Sequence, residues 1–207
     1  MTAAAPAPLT RSKKTVYALA ALFSLDAFAG GFVVQSMVAL WLYQKFAVSP
    51  ATAGAIFFWT GILTSVSYLV AVRIANRIGL VNTTVFTHLP ANLCLVAIPF
   101  MPDLATVIAL LFVRSALSQM DVPTRSSYVM AIVTPAERPA AASVTTVPRS
   151  LASAASPLIA GYLLTVSGFG WPLAIAGAIK IAYDVMLLAM FRKVRPPEES
   201  IAAPAAK

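Results

Sequence analysis

Apolar runs of roughly membrane-spanning length follow one another along the chain, separated by short polar or proline-marked joints. The first, Val16 to Tyr43, is interrupted by Asp26, Gly30, Gly31 and Gln35 and ends in the aromatic pair Trp41 and Tyr43. The second, about Ala51 to Val72, leads to the stretch RIANRIGLVNTT, which reads as a loop turning at Gly79. The third, Val85 to Met101, carries Pro90 and Pro99, and Pro102-Asp103 turns the chain into a fourth that starts at Leu104. That fourth run keeps a helical pattern to about Gln119 and continues past Pro123 as a more polar, kinked segment. After TPAERP, a fifth run extends from Ala140 to Thr165 and, past SGFGW, a sixth from Pro172 to Phe191. The pattern predicts an all-α polytopic membrane protein of six transmembrane helices over residues 15–192. Residues 1–14 and 193–207 read as flexible cytoplasmic tails.

Composition hardens this reading. Only 11% of the residues are charged and mean hydropathy is +0.83, against roughly 25% charged in soluble domains. Such a chain must face lipid. Its net charge of +8 would suggest nucleic acid in a soluble protein. Here, however, the basic residues sort by position: of 15 Lys and Arg, all but Lys45, Arg114, Arg149 and Lys180 fall in segments that one topology places in the cytoplasm. The charge is therefore an orientation signal, with both termini and the 73–84 loop inside, and no nucleic-acid partner is expected. Trp41, Tyr43 and Trp171 then gather at the outer interface. A signal peptide competes for the N-terminus, but apolar sequence resumes at Phe32 and runs too far for one.

Within the fifth run 12 of 22 residues from Ala140 to Gly161 are Ala, Gly or Ser. That composition suits close packing inside a bundle. Ionisable groups inside spans are costly and mark function by default: Asp26, Arg114, Arg149, Lys180 and Asp184. The first four lie about ten residues from a membrane face, near the midplane. Arg114, Ser118, Asp121 and Arg125 share one helix face, and Thr145, Arg149, Ser153 and Ser156 another, so two polar stripes can line a watery cleft. Asp26 and a cleft arginine are the expected substrate and proton-coupling pair, with Gln35 joining only if the helix breaks at Gly30-Gly31. An unbroken helix would turn Gln35 about 180° away from Asp26. Lys180 and Asp184, four apart, read as an intrahelical pair. His88 aligns with Thr84 and Asn92 and reads as a hydrogen-bonded packing residue, with proton relay as its alternative. The lone Cys94 excludes an internal disulfide, and HExxH, GxSxG and phosphate-loop motifs are absent, so neither an enzyme nor a cofactor or metal is expected.

The stretches LFSLDAFAGGFVVQS, RSALSQMDVPTRSSYVMAIVTPAER and KIAYDVMLLAMFRKVRPPEE resemble the second half of a major facilitator superfamily transporter, from Lys14 to Pro197. Arg77 and Gly79 match that family's loop motif, whereas Val72, Asn76, Leu80 and Val81 depart from it. The resemblance implies a six-helix half bundle built as a 3+3 repeat, with spans one and four on the cavity, two and five against the other half, and three and six outside. It implies a lipid bilayer and a small-molecule substrate as partners, in an inner or plasma membrane. It also implies a second six-helix half, or a homodimer partner, to complete the cleft. A non-transporting remnant or assembly subunit, its charges only holding helices together, is the alternative.

Overall fold

In the computed structural model, residues 7–10, 12–78, 80–118 and 133–191 are described. Among the described residues seven α-helices form six rods: α1 (Lys13–Gly31), α2 (Gln35–Phe46), α3 (Pro50–Ile78), α4 (Leu80–Ala97), α5 (Leu104–Leu117), α6 (Arg138–Val166) and α7 (Trp171–Phe191). Among the described residues there is no strand. The first span, Lys13–Phe46, comprises α1 and α2, and with Pro50–Ala71 and Trp171–Met190 it is long and apolar enough to cross a membrane. Val85–Phe100 and Leu104–Leu117 are shorter apolar helices. The 29 residues of α6, rising about 1.5 Å each, exceed the roughly 30 Å of a hydrocarbon core.

The break in the first span falls just after the two glycines. α1 ends at Gly31, Phe32 and Val33 close its last turn through Ala29 and Gly30 carbonyls, and Val34 adopts an extended ψ of 149° before α2 begins. At the start of α5 Asp103 is the N-cap: its carboxylate accepts from the Thr106 N–H at 2.7 Å and the Thr106 hydroxyl at 2.8 Å. Those bonds favour the ionised form and hold its pKa below the usual carboxylate value. Lys45 closes the same end of the bundle, donating to the Pro99 and Met101 carbonyls at 2.7 and 3.0 Å.

Helix pairs meet closely where glycines face them. A Cβ on Gly31 of α1 would overlap the Ser156 hydroxyl and come within 2.7 Å of the Ser153 carbonyl on α6. On α7, a Cβ on Gly177 would lie 3.0 Å from the Asn92 carbonyl of α4. These two pairs, α1 with α6 and α4 with α7, make the most extensive interfaces. The apolar core is split by depth. Val16, Leu19, Phe23, Tyr183 and Leu187 form one cluster near the N-terminal end of α1; Phe32, Trp41, Leu42, Leu95, Val107 and Leu173 belong to a larger one at the opposite end.

Four sequence expectations change. The 73–84 stretch is not an extended loop, because α3 runs to Ile78 and α4 starts at Leu80. α6 is not enclosed: small residues take it against α1, yet Leu151, Leu158 and Tyr162 remain exposed on its other side. Trp41 is fully buried against Gly170, whose φ of +93° brings its backbone onto the indole, while Tyr43 and Trp171 are exposed. The N-terminal segment is docked in part, since the Thr10 N–H and hydroxyl donate to Glu137 Oε1 at 2.7 and 3.0 Å and the Ala7 N–H donates to the Ala136 carbonyl. Phe58, Trp59 and Leu69 of α3 stay exposed. An apolar face of that kind requires lipid or another protein.

Candidate functional site

Between the two apolar clusters lies a layer of polar groups. Asp26 sits on α1 between Phe23 of one cluster and Ala29 before Phe32 of the other; Lys180 sits on α7 between Ala176 and Tyr183. The Lys180 ammonium donates to Asp26 Oδ1 at 2.5 Å, and both residues are buried. One turn along α7, Asp184 is fully buried and faces α4. Its Oδ1 lies 3.3 Å from His88 Nδ1, and its Oδ2 accepts from Asn92 Nδ2 at 2.8 Å. His88 Nε2 reaches the Ser118 carbonyl at 2.7 Å. That carbonyl belongs to the residue that caps the C-terminal end of α5.

Lys180 and Asp184 are therefore not an intrahelical pair. They share a face, and each reaches a different neighbour, α1 for Lys180 and α4 for Asp184. Neither Arg114 nor Arg149 bonds Asp26. Arg114 interacts with Asp26 only through its charge at longer range, and its Nε is shut off from solvent with no hydrogen-bond partner. Arg149 is exposed, although Thr145 and Ser156 of the same stripe are buried. Gln35, at the start of α2, is exposed and apart from Asp26. Arg77 is exposed at the end of α3; Gly79 and Asp121, with Arg125, lie outside the described residues.

Sequence reasoning underrated Asn92, which was placed on the His88 face but given no part in the charge layer. Its spacing of four from His88 was the available signal. Ser118 was chosen for its hydroxyl, whereas its backbone carbonyl makes the contact with His88.

A multi-helix bundle with exposed apolar faces and a buried charged layer between two apolar clusters defines a multi-pass membrane protein. A profile of the Major Facilitator Superfamily matches residues 19–207, and the chain belongs to that family. It is also 25% identical over 184 residues to an uncharacterized membrane protein of Saccharomyces cerevisiae. The match covers 87% of this chain and 41% of the relative, so the chain spans about two fifths of that protein's length.

Proposed function

We propose that these helices form one half of a secondary active transporter that moves a small solute by alternating access, coupled to protons. It would work in an inner or plasma membrane with both ends cytoplasmic. The second wall of the cleft comes from another six-helix bundle, either a distinct half or a second copy. The observation that carries this reading is the buried Asp26–Lys180 pair, set mid-bundle with the Arg114 guanidinium near it. Protonation of Asp26 removes its attraction for Lys180 and leaves two cations, Lys180 and Arg114, on one wall. An anionic solute then has a reason to bind there and, as it leaves, to return Lys180 to an ionised Asp26. Solute and proton are coupled through one lysine rather than through an arginine.

In an assembly that transports, Asp26→Asn is expected to abolish accumulation driven by a pH gradient while solute exchange and protein abundance stay near wild type. Asn retains an oxygen for the Lys180 ammonium, which is why folding should survive. Unchanged gradient-driven uptake would exclude Asp26 from coupling, and loss of folded protein would assign the pair to structure. That second outcome is the other reading, a non-transporting subunit; it is favoured by the fact that both carboxylates of the layer already hold partners.

Orientation has its own test. Thr83 is fully buried, so the exposed Arg77 is the better reporter of the α3–α4 turn. On a Cys94→Ala background, Arg77→Cys should resist a membrane-impermeant thiol reagent applied outside intact cells and react once the cells are opened. Labelling from outside would invert the topology.

A further inference from the structure

The chain contains one histidine, and both of its ring nitrogens face acceptors. A backbone carbonyl can only accept, so His88 Nε2, 2.7 Å from the Ser118 oxygen, carries a hydrogen. In a neutral imidazole the other nitrogen is then a bare acceptor. Nδ1 lies 3.3 Å from Asp184 Oδ1, and an ionised carboxylate offers only lone pairs. Two lone pairs do not hold each other in a buried site. One hydrogen must lie between them, on Nδ1 as imidazolium or on Oδ1 as carboxylic acid.

Burial enforces this count. His88 is 3% exposed and Asp184 0%, so a carboxylate there without a balancing proton would lose its hydration with only the Asn92 amide in return. Asn92 satisfies the other oxygen in either form. Among the described residues, the remaining charges of the neighbouring helices are committed elsewhere or distant. Lys180 on α7 is bound to Asp26 of α1, and Asp26 reaches Asp184 only as a like charge at longer range. Arg114 of α5 interacts with Asp26 and Cys94. Arg73 and Arg77 of α3 and Arg149 of α6 are exposed.

We propose that His88 and Asp184 form a proton-binding site that fastens α4, α5 and α7 together in this conformation. The site gives up its proton when the Ser118 carbonyl leaves Nε2. The bookkeeping of atoms is simple. With the carbonyl in place there is one hydrogen on Nε2 and one between Nδ1 and Oδ1. When α5 withdraws, water takes the proton from Nε2 and the N–H electron pair stays on the ring. The product is a neutral imidazole with its hydrogen on Nδ1, donating to an ionised Asp184, and one proton in solution. By reciprocity, holding the proton favours the α4–α5 contact as strongly as the contact favours holding the proton. This site is separate from Asp26, and its test needs no solute.

Because His88 is the sole histidine, protein labelled with 15N-histidine gives a single set of ring signals in magnetic resonance. At pH 8, well above the ordinary histidine pKa of about 6.5, the expected spectrum of the full chain in bilayers shows hydrogen on Nε2. It also shows either a second hydrogen on Nδ1 or, by infrared, a protonated carboxyl band that disappears in Asp184→Asn. In that variant the amide supplies the hydrogen to Nδ1, and the ring should be neutral with its hydrogen on Nε2. A wild-type ring at pH 8 with one hydrogen and no protonated carboxyl assigned to Asp184 would overturn the proposal, as would a doubly protonated ring that persists in Asp184→Asn. If Asp184→Asn does not fold, the wild-type protein decides alone: two ring hydrogens at pH 8, or one together with a protonated carboxyl band, support the site, and one ring hydrogen with no such band refutes it.

Discussion

Replacing Lys180 with Met is expected to destabilise the bundle by about 3–5 kcal/mol, because it strands the buried Asp26 carboxylate without its ammonium. Adding Asp26→Leu to the same chain should recover most of that loss. The reasoning turns on an asymmetry: each ion has already given up its hydration, so removing one partner exposes the full cost carried by the other, whereas removing both cancels it. The Arg114 charge lies within reach of Asp26 and should hold the single variant toward the lower end of the range. Unfolding in mixed micelles of wild type, both single variants and the double variant measures the cycle. A Lys180→Met protein as stable as wild type, or a double variant worse than either single one, would show that the 2.5 Å contact contributes little to stability.

Arg114→Met should act in the opposite direction, raising stability while abolishing solute binding. The guanidinium Nε is buried with no acceptor, and an unsatisfied buried donor costs about 1–3 kcal/mol. Met fills similar volume without a donor or a charge. A gain in unfolding free energy of that order, together with loss of transport in an assembly otherwise active, is the signature of a residue kept for binding at the expense of stability. If Arg114→Met instead unfolds more easily, the guanidinium is part of the scaffold and the anionic-solute reading fails with it.

The six spans and the membrane character were legible because each rests on local pattern, apolar run length and charge between spans, whereas the paired glycines marked Gly30-Gly31 only as a place where the first helix could break. The depth of the charged groups could also be read, since rise per residue converts position into height. Their azimuth could not. Asp26 is about as deep as Arg114, Arg149 and Lys180, and only the packing of α1 against α7 makes Lys180 its partner. The i, i+4 rule misled at Lys180 and Asp184, because two residues on one face can also be the two residues that reach two neighbours. The stripe on α6 failed at Arg149 because helical phase gives the direction in which a side chain leaves the axis, whereas a long charged one can still carry its head out to solvent. No pattern along the chain could reveal that Ser118 contributes its carbonyl, since every residue has one and only the packing of α4 against α5 brings His88 to this one.

The charged layer lies between two buried apolar clusters, and that placement has an electrical consequence. Across dry protein the membrane voltage falls steeply, and moving one elementary charge through the whole drop is worth about 2.3 kcal/mol per 100 mV. A proton or solute charge that reaches the level of Asp26 and Lys180 from one side has crossed roughly half of that field, about 1 kcal/mol per 100 mV. In the proposed transporter, occupancy of the layer would then be set by voltage as well as by concentration. Loading it from opposite faces of a polarised membrane is inequivalent even when both solutions are identical.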